Sequence, residues 1–264
     1  MDLSSTVTIV APALSDGRGE TAQINGLTTD THFVGYLFDA SGFDGPSVRL
    51  SQDDIVEGHG AVFGSFYHGV REFTLEVDLK ASTSYAASMT RMRKLYRAFN
   101  AMAGDGTVTW TEGGGAVYFV SFRRQQPPRG PDKERKVLLS GICSDPRIYA
   151  GGTASTASAA TSFSGGTALT NSGTVPTPIT SLTIASPSAT VNVTNSTTSE
   201  TLTFTGLSGG GTVTLNFKDR TISQGGVSKA GAISIASVWW ELVPGANTVT
   251  VTNAATPTWR SAWL

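Results

Sequence analysis

Three histidines, a pair of adjacent aspartates, one cysteine, a cluster of cations and four tryptophans are the side chains here with chemistry to offer. His32, His59 and His68 would suit metal ligation or acid–base work. None has a second ligand-type residue at metal spacing on a common element, so they read as surface or half-buried histidines. "GSFYHG" brings Ser65 close to His68, but no nucleophile elbow of the G-x-S-x-G kind is present, and proximity in sequence makes no triad. Asp53 and Asp54 in "SQDDIVEG" are paired carboxylates in sequence only. Neighbours on an extended chain point apart, and a solvated loop is expected there. "SGGGT" at 208–212 precedes neither Lys-Ser nor a helix and reads as a turn, not a phosphate cradle. Trp239, Trp240, Trp259 and Trp263 could stack on sugars. Core packing is the expectation for Trp259 and Trp263, whereas Trp239 and Trp240, successive on a strand, would face opposite ways with one exposed. The single cysteine, Cys143, allows no intrachain disulfide and no cysteine-based metal site, and reads as a small buried hydrophobe. The sequence therefore nominates no catalytic, cofactor-binding or metal residue, and an enzyme is not expected.

The totals agree. The chain has 264 residues, a formal net charge of −1, 15% charged residues and 30 glycines. A near-neutral chain has no global field to recruit nucleic acid or an anionic membrane. No apolar run approaches a membrane span, and Met1-Asp2-Leu3 begins nothing like a signal peptide, so folding in a reducing cytoplasm is expected. Only seven of the charged residues lie beyond residue 150. The change coincides with "AGGTASTASAATSFSGGTALTNSG", which reads as a linker in which weakly hydrophobic Ser/Thr strands could hide. The expected domains are 1–149 and 150–264.

In the first domain "VREFTLEVDLKA" alternates, with Phe73, Leu75, Val77 and Leu79 on one face of a half-buried strand. "GAVYFVSFRR" and "KVLLSGI" read as two more strands, joined by the charged, Pro-rich loop 125–136. One helix is expected in "SMTRMRKLYRAFNAMAGDG". Met89, Met92, Leu95, Tyr96, Phe99 and Met102 share a face, opposite Arg91, Arg93, Lys94 and Arg97. Those four cations could track phosphates, but acidic residues balance them overall and a solvated face is expected. The second domain is strand and turn throughout: "ITSLTIAS", "ATVNVTNS", "ETLTFTGL", "GTVTLNFK" and "NTVTVTNA" alternate apolar residues with Thr, Asn or Ser, as a two-sheet sandwich or jelly roll requires. Pro244-Gly245 fits the central pair of a type II turn. "WRSAWL" reads as an inner strand with Trp259, Ser261 and Trp263 on one face.

Taken in order, these stretches resemble the siphophage distal tail protein family, also called minor tail proteins. The residues that carry the resemblance are "GAVFGSFYHGVREFTLEVDLKA" before the helix, "CSDPRIYA" with Asp145, Pro146, Arg147 and Tyr149, "NSGTVPTPI", "VWWELVPGANTVTV" and the aromatic-rich end. The resemblance implies a mainly β protein: a tail-tube-like N-terminal β-sandwich or barrel with one α-helix, then a galectin-like β-sandwich. It implies a structural virion protein at the tail tip, assembled in the bacterial cytoplasm as a homo-oligomeric ring, usually a hexamer. Its partners would be the tail tube protein, the tape measure protein and the tail-tip hub or receptor-binding proteins. DNA would be met only in transit through the lumen, with no membrane contact and no cofactor. A major tail tube protein and a carbohydrate-binding adhesin module of a virion remain the alternatives, with a cell-wall hydrolase third.

Overall fold

A computed structural model describes residues 6–10, 21–25, 33–42, 45–54, 61–78, 86, 89, 90, 93, 106–111, 117–124, 136–151, 155–156, 166–185, 187–207 and 211–264. It divides into two compact units, 1–151 and 152–263. The loop 125–135, His32, His59, Leu79, Arg91, Lys94 and Arg97 lie outside the described residues. Of the expected helix, Met89, Thr90 and Arg93 are described. All three are helical, as is Ala86, with Met89 half-buried and Arg93 exposed.

The first unit is a closed barrel. Its strands are β1 (Thr6–Val10), β2 (Thr21–Asn25), β3 (Phe33–Ser41), β4 (Val48–Asp54), β5 (Ala61–His68), β6 (Arg71–Asp78), β7 (Gly106–Thr111), β8 (Val117–Arg124), β9 (Lys136–Cys143) and β10 (Ile148–Ala150). Pairing runs β10-β8-β7-β1-β2-β3-β6-β9, and β9 pairs again with β8 through Arg123↔Ile142 and Arg124↔Gly141, which closes the sheet on itself. Closure removes the open edges that would template aggregation. Alternation fills the interior: Phe73, Leu75, Val108, Trp110, Val120, Phe122, Val137 and Leu139 are all buried. Phe122 meets Phe73 edge-on at 5.3 Å between centroids. Gly141, opposite Phe73 in the ladder, leaves the room for that ring: a Cβ there would overlap it. β4 and β5 form a separate two-stranded sheet inserted between β3 and β6, which pair directly with each other.

The second unit is a two-sheet sandwich. β11 (Ser155–Thr156), β20 (Ala255–Trp259), β13 (Ile179–Ile184), β16 (Val213–Asn216), β17 (Thr221–Gln224) and β18 (Val227–Ser228) lie in that order in one sheet. β12 (Thr167–Asn171), β19 (Gly245–Val251), β14 (Thr190–Asn195) and β15 (Glu200–Thr205) make the other. Leu182, Ile184, Val191, Val193, Leu202, Phe204, Val213, Leu215 and Val249 alternate inward into one core, and the Thr between them line the outer faces. Thr serves there because its β-branch fits the pleat while its hydroxyl stays in water.

Two readings need correction, and the Ser/Thr tract is resolved between the two forms it allowed. Asp53 and Asp54 are not in a loop; they end strand β4, opposite Val62 and Ala61. The Ser/Thr tract after residue 150 contains strands β11 and β12 and is not wholly linker. "WRSAWL" is not one continuous strand. β20 ends at Trp259, Arg260 and Ser261 break away, and extended structure resumes only at Ala262–Trp263. Trp259 is buried in the core and β20 is an inner strand, but Trp263 is only half-buried.

Candidate functional site

The feature of the first unit that its own core does not explain is the hairpin β4–β5. Cross-strand partners share a face, so Val48 lies with His68 and Leu50 on one side, and Arg49 with Tyr67 on the other. Both faces are open to water: Val48 is 60% exposed, Leu50 42% and Tyr67 65%, and Arg49 and His68 are exposed too. Two strands with apolar side chains on both faces are marginal in water unless something covers them.

The root of the hairpin is firmly held. Gly69 N–H donates to Ser47 O at 2.6 Å, and Ser47 Oγ to Val70 O at 3.1 Å. A Cβ at Gly69 would displace the Ser47 hydroxyl from its bond to Val70 O. Two residues on, Arg71 is fully buried and donates Nε to Pro146 O and Nη1 to Gly42 O, each at 2.8 Å. Gly42 has φ +87 and sits against the backbone of Glu72 and Phe73 with no room for a Cβ. One guanidinium thus ties the point where the chain leaves β3 to the segment that ends the unit. Its forked donors suit two carbonyls at once, as an ammonium would not.

That ending segment is braced by Asp145, which accepts from Arg147 Nε at 3.1 Å, from Arg147 N–H at 3.2 Å and from Tyr149 Oη at 2.6 Å. Cys143 beside it is buried. Desolvation pushes its thiol up to about 12, with Arg71 acting in the opposite direction and Asp145 in the same one. A thiol so placed is inert at neutral pH.

In the second unit Asn171, Asn195 and Asn247 are fully buried and made to fit by hydrogen bonds. Asn171 Nδ2 donates to Val175 O at 2.8 Å and Leu242 O at 3.1 Å. Its Oδ1 accepts from Gly173 N–H at 3.0 Å and Ala262 N–H at 3.4 Å. Asn247 closes the Pro244-Gly245 turn, where Gly245 takes φ +93: Oδ1 accepts from Val243 N–H at 2.9 Å and Nδ2 donates to Val243 O at 2.7 Å. These amides are structural clasps with no access to solvent.

The other candidates are scattered. His68 is exposed at the end of β5, three positions along the strand from Ser65. Of the 208–212 stretch, Gly211 (φ +91) and Thr212 are described and lead into β16; residues 208–210 lie outside the described residues. Trp240 is buried with Nε1 donating to Val193 O at 3.2 Å, and Trp259 Nε1 donates to Thr170 O at 3.0 Å. Trp239 is half-buried and meets Phe217 edge-on at 5.3 Å. Neither Trp239 nor Trp240 belongs to a regular strand, and Trp240 is buried. Among the described residues no three His, Cys, Asp or Glu gather to hold a metal ion, and no helix is long and apolar enough to cross a membrane. Sequence reasoning missed Arg71, because a charged residue at an alternating inward position looks like a strand end. Its signal was the phase it shares with Phe73 and Leu75.

Residues 172–263 match the family model of the siphovirus-type tail component, C-terminal domain. No curated protein matches the chain by sequence. Among solved structures, the SPP1 Dit protein, described as a paradigm of the hub adsorption apparatus in phages that infect Gram-positive bacteria, is similar over 98% of this chain and 99% of its own. The TM-score is 0.68 and the identity 16%. Two structures of the phage P2 baseplate in its activated conformation, with Ca and with Sr, each hold a chain that is similar over 97% of this one and 98% of theirs. Both are 9% identical, with TM-scores of 0.52 and 0.51. The barrel and the sandwich, in this order, share the fold of those chains, and residues 172–263 are similar to the C-terminal domain of siphovirus-type tail components.

Proposed function

We propose that this chain is the distal tail protein of a siphophage. Copies of it close into a ring, a hexamer, that joins the tail tube to the tail-tip hub and lets the genome through its lumen. The tail tube, tape measure and hub or receptor-binding proteins are its partners, and it catalyses nothing. The observation that carries the ring is the β4–β5 hairpin. Val48, Leu50 and Tyr67 are exposed on a two-stranded sheet whose root is fixed by Gly69, Ser47 and Arg71. A rigidly aimed apolar hairpin is a surface for the next copy, and a head-to-tail contact that repeats by rotation closes into a ring. The near-neutral chain fits a channel through which DNA must slide. The test is native mass spectrometry with particle imaging of the purified chain and of tails. Closed rings are expected, and they should be lost in the double variant Val48→Glu, Tyr67→Ser while its melting temperature is kept. Monomers only, in solution and at the tail tip, would refute the reading, and long tubes would make the chain a tail tube protein instead.

A further inference from the structure

Each sheet of the second unit ends in two edge strands. β11 and β18 are two residues long, too short to template another chain. β12 gives Thr170 O to the Trp259 indole. β15 is the exception. It has six residues, alternates Leu202 and Phe204 with Thr, and holds Glu200 as its single charge. An edge this long and this poor in charge is what another strand pairs with. A chain of net charge −1 adds little repulsion to prevent it.

Residues 233–238 close that edge. Ser234 N–H donates to Thr203 O at 2.8 Å and Val238 N–H to Thr201 O at 3.0 Å. Ser237 Oγ accepts from Thr203 N–H at 2.8 Å and donates to Thr203 O at 2.7 Å, so one hydroxyl stands in for a strand partner. Ile233 adds a bridge to Phe204. Between these attachments the strap is a turn, with Ser237 N–H donating back to Ser234 O at 3.0 Å and the Ile235-Ala236 apex exposed. A regular strand laid on β15 would only move the edge outward by one strand. In this turn the N–H groups of Ser234, Ser237 and Val238 are all spent, and no repeating ladder is left for the next chain.

We propose that the 233–238 strap is an inhibitory cap that keeps β15 from pairing with β15 of a second copy. The strand itself sets the occupant that the cap excludes. Antiparallel self-pairing centred on Thr203 puts Thr203 opposite Thr203, Leu202 opposite Phe204, Thr201 opposite Thr205 and Glu200 opposite Gly206. Apolar side chains meet apolar ones, Thr meets Thr, and the one charge does not meet its own copy. Such a contact is two-fold symmetric and closes as a dimer, whereas a ring needs head-to-tail contacts. The cap is therefore distinct from the ring interface and does not depend on it.

The test uses the full chain with Val48→Glu and Tyr67→Ser, so that hairpin contacts do not mask new ones. Ser237→Ala with Val238→Pro removes the hydroxyl that holds Thr203 and the N–H that holds Thr201. Sedimentation should then show dimers, with association at least roughly tenfold tighter than in the same chain with its strap intact. Adding Thr203→Lys sets like charges opposite each other across the two-fold axis and should restore the monomer. Mixing that chain with its Thr203→Glu counterpart should bring the dimer back. If the double strap variant loses its cooperative melt, Ser237→Ala alone carries the same comparison. A strap variant that melts cooperatively and stays monomeric would overturn the proposal, as would association that Thr203→Lys does not suppress.

Discussion

Arg71 opens β6 fully buried and reaches across 75 residues of sequence to the carbonyl of Pro146, while its second donor holds Gly42. The charge is kept inside because two carbonyls replace its water. Taking it away leaves both half-buried carbonyls without these donors, at a cost of about 3 kcal/mol. For a unit of this size that is a fall in melting temperature of roughly 6–12 °C. Arg71→Met is expected to show it by calorimetry. Arg71→Lys should recover only part of the loss, since one ammonium does not reproduce the fork.

Cys143 supplies a pH-dependent term. Its thiol titrates near 12 in the folded chain against 9.0 for the free group, because burial penalises the thiolate. Below pH 9 the thiol is neutral in both states and contributes nothing to pH dependence. Between pH 9 and 12 the unfolded chain loses the proton first, so stability falls by about 1.4 kcal/mol per pH unit as pH rises. Denaturant unfolding of parent and Cys143→Ala chains across this window should show the parent's advantage shrinking steadily with pH. A constant difference would mean the thiol is not desolvated. At neutral pH a thiol reagent should label Cys143 only after unfolding.

Asn247→Asp tests whether the Pro244-Gly245 turn depends on its amide. The change is isosteric but removes the Nδ2 donor that Val243 O and Gly245 O accept from. A carboxylate there would face carbonyls with no water to screen it, and burial would raise its pKa. The cost is expected to be about 3–5 kcal/mol at pH 7 and smaller at pH 5, where the acid is more nearly protonated. Thermal melts at the two pH values provide the comparison.

What the sequence disclosed depended on the range of the interactions. Strands β6, β8, β9, β13 to β16 and β19 were legible because each alternates within its own few residues. Closure of the barrel was not: it needs the parallel β2–β3 pairing and the short β8–β9 contact, neither of which leaves a local pattern. β11 and β12 were ambiguous because Ser and Thr serve loops and solvated strands alike. "WRSAWL" misled because alternation in type predicts a face only while the chain stays extended, and Arg260 and Ser261 turn out of the ladder to meet the 172–177 segment. The hairpin surface around Val48 and Tyr67 was hidden for another reason. An exposed apolar strand and a buried one share the same letters.

That last turn of chain is the clearest case for a coupled test. Thr177 Oγ1 donates to Arg260 O at 2.6 Å, Ser172 N–H to Ser261 Oγ at 2.9 Å and Thr174 N–H to Ala262 O at 3.0 Å, while Ala262 N–H reaches Asn171. Gly173 lies so close to Ala262 that a Cβ would overlap its backbone. Ending the chain at Trp259 keeps the buried indole but removes these bonds, at about 1 kcal/mol each, a sizeable part of the 5–15 kcal/mol that holds a domain together. The truncated chain should therefore melt well below the parent. Gly173→Ala should cost at least 1–3 kcal/mol in the full chain, as overpacking does, and close to nothing in the truncated one, where the obstructing backbone is gone. The four melts form a double-mutant cycle whose coupling energy should be of that size. Equal costs in the two backgrounds would show that Gly173 is needed for a reason other than its approach to Ala262, and that residues 260–264 only lie along the sandwich without clasping it.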